Sequence, residues 1–407
     1  MNSVQFSAAR SADPRADMAV RLPAFVQPLL TWITAMPAPG RPYRTVATWR
    51  PVAGAFARIA VGLGLSAAGV EAADIAWGLA LYVVGAVLTV SGLGFLQVAL
   101  FHYCAHNNVF RSPAANVACG RALSILCLFK YFDDYRREHI QHHRSQKLIT
   151  EEDEFATFVV DVCRMRPGMS RAALWRRLSL NLVSPAFHAK FLYLRLRGNL
   201  GCGRPAHVWR FIAAWAATFA AVTALGCWPA FAAAWLLPLV VFLQIATVFR
   251  ILCEHRIPAP ELLADRGKAL IADATTGVFS GRPLPAAGPD SLSGLAQWAF
   301  WWADLLSFKT LARLLVLVAD ASCHDYHHRR SGRSHWPDAI HERAADKASG
   351  CPGYPQNYVD VWGLMNAVDQ NIRSLAAAAP DLLGRAERPA MDAGLPAPGL
   401  GFATAAK

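Results

Sequence analysis

The stretch IAWGLALYVVGAVLTVSGLGFLQVALF, residues 75–101, holds no charged side chain across 27 positions and runs straight into HYCAH, residues 102–106. A helix that crosses a bilayer needs about 20 predominantly apolar residues. This run is long enough to cross with tilt or to project past the lipid. A buried helix of a large soluble α protein has no need of so long an uncharged segment, so the chain reads as a membrane protein.

The neighbouring segments agree. Residues 211–227 and 230–249 are apolar, meet at Trp228 and Pro229, and read as a transmembrane hairpin. A weaker run at 52–70 includes Arg58, whose long side chain can snorkel to the interface. Composition points the same way: 54% of the 407 residues are hydrophobic and 17% are charged, against roughly 25% charged in ordinary soluble domains. The expected organisation is an N-terminal cytoplasmic or interfacial segment (1–50), one catalytic membrane domain (51–375) and a disordered Ala/Pro/Gly-rich tail (376–407). The fold class is an all-α membrane protein with four transmembrane helices, at about 52–70, 75–101, 211–227 and 230–249, and a helical cap.

Charge placement orients the chain, because short cytoplasmic loops carry the Lys and Arg excess. The connections at 70–74 and 226–230 contain neither residue, while the formal net charge is +12. Both termini and the long middle segment are therefore expected in the cytoplasm. Early charges and prolines, from Arg10 to Pro28, argue against a cleavable secretion signal. The nine cysteines are dispersed, odd in number and never spaced C-x-x-C, which suggests neither a disulfide framework nor a zinc knuckle.

Histidine concentrates in four places: FHYCAHNN with His102 and His106, EHIQHH with His139, His142 and His143, CEHR with His255, and CHDYHH with His324, His327 and His328. Residues three and four apart share a helix face, so each cluster is a half-site for metal. The four spans put all nine on the cytoplasmic face. Nine imidazoles exceed a single zinc site, which takes three or four protein ligands. Two metals are indicated, and imidazole suits iron, copper, nickel and zinc alike. Carboxylates that fix imidazole orientation commonly stand behind such ligands, and Glu138, Glu254 and Asp325, each beside a histidine, are the candidates. His188, His207, His335 and His341 stand alone and are left outside the site.

H-x-x-x-H after a long span, H-x-x-H-H some thirty residues on, a lone histidine beyond a helical pair and a final H-x-x-H-H resemble the integral-membrane fatty acid desaturase and hydroxylase superfamily, over roughly residues 50–370. The resemblance implies a non-haem diiron centre held by His102, His106, His139, His142, His143, His324, His327 and His328. His255 matches an extra ligand found in some members. It implies O2 as co-substrate, an acyl-chain or other long hydrocarbon substrate, membrane lipid as surroundings, and desaturation of an acyl chain. Hydroxylase, acetylenase and carotenoid-type ketolase chemistry use the same metals and are the alternatives. No HPGG haem-binding motif is present, so a separate electron donor of ferredoxin, rubredoxin or cytochrome type is expected. A nucleic-acid partner is not.

Other features have two readings. TEEDEF, residues 150–155, either docks a basic carrier or caps a helix start. Basic segments around Arg136 and Arg137 either attract acidic partners or follow the cytoplasmic charge bias. The tryptophan-rich stretch at 298–308 reads as an interfacial amphipathic helix. A metal transporter or sensor is the remote alternative; it wants polar ligands inside the spans, where none of the nine histidines is placed.

Overall fold

A computed structural model of the chain describes residues 13–41, 43, 45–332 and 335–383. Residues 1–12 of the N-terminal segment and 384–407 of the expected tail lie outside the described residues. The chain is mostly helical. Among the described residues three helices are long and apolar enough to cross a membrane: α1 (Trp49–Glu71), α2 (Ala76–Ala105) and, after the shorter helices α3 (Pro113–Leu126), α4 (Phe132–His142) and α5 (Pro205–Ala224), α6 (Trp228–Glu254). The third of the four expected spans falls on α5, whose 20 residues are less apolar because His207 and Arg210 sit in its first turns.

Local chemistry sets the helix boundaries. Ser112 caps α3 by accepting from the Ala115 N–H, with Pro113 in the first turn. The α5–α6 hairpin turns at Gly226, whose φ of +63° suits a residue without Cβ, and Pro229 opens the next helix.

α1 and α2 pack closely because glycines recur every seven residues on the facing surfaces, at Gly62 and Gly69 against Gly78, Gly85 and Gly92. Small residues let membrane helix backbones approach. A Cβ on Gly62 would stand 2.7 Å from the Gly85 carbonyl oxygen and 2.5 Å from Thr89 Oγ1. Gly62→Val should therefore cost about 1–3 kcal/mol through overpacking, read as a lower melting temperature of the detergent-solubilised protein. An unchanged melting temperature would refute this contact.

At the histidine-bearing end, α2 and α6 meet the remaining chain. A two-stranded parallel sheet pairs β1 (Gly277–Phe279) with β2 (Asp360–Trp362) in the register Val278 to Val361. This is a small departure from an all-α fold; pairs of three-residue strands leave no period in the sequence. α7 (Leu292–Asp304) covers the expected interfacial stretch; it buries Trp301 against Met18, Leu30 and Ile33, while Phe300 is exposed, as are Leu306 and Phe308 in the turn that follows. α8 (His324–Arg329) is wholly buried. The last helix, α9 (Leu364–Ala377), packs Val368, Ile372 and Leu375 into the largest apolar cluster, and Leu383 is buried beyond it. The described residues thus run past Ala376, the expected start of the tail.

Candidate metal centre

The residues just before the first histidines depart from α-helical winding. Leu96–Phe101 form a π-helical turn inside α2, which delivers His102 and, after the helix end, His106 to one side; such turns recur at functional sites. α4 carries His139 and His142, with His143 as its cap residue. His255 follows the last residue of α6 in extended conformation, and its backbone bridges to Thr275, just ahead of β1. α8 supplies His324, His327 and His328.

All nine histidines converge, in two groups. His102, His106, His139, His143 and His327 form one, and His142, His255, His324 and His328 the other; within each group the candidate ligand atoms lie within 4.8 Å of one another. The two H-x-x-H-H motifs divide in opposite senses. His139 and His143, four apart, join the first group while His142 joins the second; His324 and His328 join the second while His327 joins the first. The groups touch where the His143 and His328 rings stack at 4.2 Å.

The nitrogens meet tip to tip. In the first group Nε2–Nε2 distances are 2.8 Å for His102–His327, 3.0 Å for His102–His139, 3.1 Å for His106–His139 and 3.0 Å for both His139–His143 and His143–His327. In the second they are 3.0 Å for His142–His255, 2.9 Å for His255–His324 and 3.0 Å for His324–His328. Burial, then the neighbouring imidazoles, holds His139, His143, His324, His327 and His328 well below the ordinary histidine pKa. His255 is also well below it, by burial and His142, and His106 falls to about 4 through burial and Arg136. His142 is the exception: burial opposes its charge, but Asp153 together with Glu154 and Glu254 outweighs burial and raises it.

Such a set fits a cation. A neutral imidazole has one N–H and one lone pair, and where Nδ1 faces a carboxylate the lone pair is left on Nε2. Hydrogen bonds alone cannot reconcile so many converging lone pairs; metal ions accept them. Nitrogens about 2.1 Å from one ion and at right angles to each other stand about 3 Å apart, the spacing seen here.

Carboxylates hold the imidazoles from behind, and most are not those expected. His142 Nδ1 lies 2.6 Å from Asp153 Oδ1, and His139 Nδ1 lies 2.8 Å from Glu154 Oε1. Asp153 also accepts from the Ile149 and Phe155 N–H groups, so the acidic stretch 150–155 caps a helix start and braces two histidines. Tyr103 Oη donates to Asp320 at 2.5 Å and sits 3.4 Å from His327 Nδ1; burial pushes the Asp320 carboxyl up to about 6.

Of the three carboxylates expected from sequence, Glu254 comes near, with Oε1 3.8 Å from His324 Nδ1 while it pairs with Arg250. Two require correction. Glu138 pairs with Lys130 at the surface, and buried Asp325 takes a two-pronged hydrogen bond from Arg343 at 2.6 and 2.8 Å. Adjacent helical residues point about 100° apart, so a carboxylate beside a histidine in sequence faces elsewhere. The Asp325–Arg343 pair instead anchors α8 to β2 through Asp360, over Gly277, where a Cβ would collide with both partners.

The four histidines left out of the site stay out. His188 bonds Gln244, His207 bonds Asn199, His335 faces Asp338 and His341 stacks on Tyr43. All nine cysteines are free.

A family model described as fatty acid desaturase matches residues 75–337, a span that includes all nine clustered histidines. The chain belongs to the fatty acid desaturase family. No curated protein is matched to it. For this desaturase-family chain the two histidine groups are the candidate metal sites, and oxidoreductase chemistry in a membrane setting is the corresponding activity class.

Proposed function

We propose that the chain is an O2-dependent diiron desaturase that introduces a double bond into a fatty acyl chain at the cytoplasmic face of the membrane. The observation that carries this reading is the pair of convergent imidazole groups in direct contact. His102, His106, His139, His143 and His327 would hold one iron, and His142, His255, His324 and His328 the other. Bound iron supplies the oxidising power that an unactivated methylene requires and that side chains lack. Asp153 and Glu154 keep His142 and His139 oriented with Nε2 inward, and burial of most of the rings limits their contact with water.

An apolar cavity of about 600 Å3 supports an acyl substrate. Val90 of α2, Ala246 and Phe249 of α6, Leu315 and Leu364 are among its lining residues, with Lys309. Its volume is in the range of ligand sites. Phe249 lies on α6 six residues before His255, so the cavity and the second histidine group share that helix and its end.

In this reading α5 is the third of four spans and α7 lies at the interface, and the positive charge outside the short α1–α2 and α5–α6 connections supports a cytoplasmic position for both termini and the histidines. The segment 1–50, the catalytic unit from 51 and the tail are its parts. The balance is one CH2–CH2 unit, one O2, two electrons and two protons giving one C=C and two waters. The electrons come from a separate carrier.

Expression in a heterologous host with mass spectrometry of total lipids tests this. A product short of two hydrogens is expected. A product with one added oxygen would instead assign hydroxylase or ketolase chemistry, and unchanged lipids alongside full iron loading would refute an acyl substrate.

A further inference from the structure

We propose that the arginine-lined groove beside α4 is the docking site of an acidic one-electron carrier protein. This rests on the oxidoreductase reading above, in which two electrons enter per turnover. The groove, about 580 Å3, is lined by Arg121 of α3, Arg136, Arg137 and Arg144 in and after α4, and Arg204 at the start of α5. Against five guanidinium groups the lining sets one carboxylate, Asp133. Asp133 is already shared, at 2.7 Å from Arg121 and 3.1 Å from Arg204. Arg137 is held by Asp134 at 2.8 Å. Arg136 and Arg144 have no ionic partner among the described residues.

The location matters as much as the charge. On a 3.6-residue repeat, Arg137, Ile140 and Gln141 fall on the side of α4 away from His139 and His142. Arg136 stands at the border between the two faces, and its charge acts on His106. His106 and His143 are the two members of the histidine groups that are only partly buried. Arg136 thus connects the groove to the partly buried edge of the five-histidine group. Electron transfer slows steeply with distance, and a carrier seated there lies against α4, the helix that carries His139 and His142.

The chemistry selects an acidic protein. Complementary charge steers encounter and raises association rates, and transient electron-transfer contacts are small with polar rims. Val117 and Ile140 supply a limited apolar floor. A single phospholipid phosphate satisfies one or two arginines, whereas five spread over three elements match a surface of several carboxylates. Two carrier molecules, each oxidised by one electron, supply the two electrons that O2 takes beyond the two from the C–H bonds broken. Two protons from solvent complete the two waters.

The test uses the full-length protein in nanodiscs with a plant-type [2Fe–2S] ferredoxin of acidic surface as probe, measuring binding by interferometry separately from product formation. The double variant Arg136→Glu/Arg144→Glu should weaken ferredoxin binding on the order of tenfold or more at low salt, and flatten its dependence on salt. Arg176→Glu/Arg177→Glu, an equal charge change on exposed positions elsewhere, should bind as the parent does. Equal loss in both variants, or none in the first, would overturn the proposal. So would a groove variant that keeps ferredoxin affinity and loses only stabilisation by phosphatidylglycerol in the nanodisc, which would assign the groove to lipid headgroups. Docking without product formation in the parent would refute the enzymatic reading and leave the docking site standing.

Discussion

Replacing either His142 or His327 by alanine should reduce turnover to background while the protein remains folded in the membrane, with iron falling well below two per chain. The two substitutions strike different groups: His142 meets His255 at 3.0 Å in the four-histidine set, and His327 meets His102 at 2.8 Å in the five-histidine set. Each removes one inward nitrogen and leaves its former neighbours facing a gap. Loss of turnover in both is expected because the proposed chemistry needs both metals. His335→Ala is the control, since that imidazole is 57% exposed and faces Asp338 rather than either group. Metal analysis and product quantification on the same preparations decide the matter. Activity retained in one variant would remove that residue from the ligand set.

The second large effect concerns Asp153, which no histidine neighbours in sequence. Asp153→Asn should lower iron affinity by about 10–100-fold, the usual effect of losing a group that orients a metal ligand. The side chain is fully buried and its Oδ1 is the partner of His142 Nδ1. Asparagine keeps the shape and one acceptor for the Ile149 or Phe155 N–H but removes the charge and half the accepting capacity. Chelator competition against the parent measures the change. Glu154→Gln should have a smaller effect, because that carboxylate is 21% exposed and its charge is better screened. Glu138→Gln should have none, since its partner is Lys130. Equal effects from Glu138→Gln and Asp153→Asn would mean that general acidity near α4, rather than the contact with His142, sets affinity.

Much of this was legible in one dimension. The uncharged run at 75–101 is long because lipid offers no partner for charge, so membrane residence can be read from hydropathy alone; helices α2 and α6 follow it. Imidazoles at helical spacing mark ligand clusters for a similar local reason, as residues three or four apart share a face. The less apolar α5 shows where that logic weakens: hydropathy ranks a segment but does not say what packs around it. Carboxylate support was misjudged at Glu138 and Asp325 because neighbours along a helix diverge in direction. Asp153 and Glu154 reach the histidines only because the turns at 143–152 fold the chain back over α4.

Residue type and local period thus established that this is a membrane helical protein with nine clustered imidazoles. Their division into five and four did not follow from spacing. Two identical H-x-x-H-H motifs split in opposite senses, since which ring turns toward which partner depends on how α4 and α8 are seated against α2 and the end of α6. Those seatings come from contacts between residues far apart in the chain, such as Asp325 with Arg343 and His255 with Thr275. Side-chain periodicity is a property of a few neighbouring residues, whereas a coordination shell is assembled from distant ones, and only packing brings them within bonding distance.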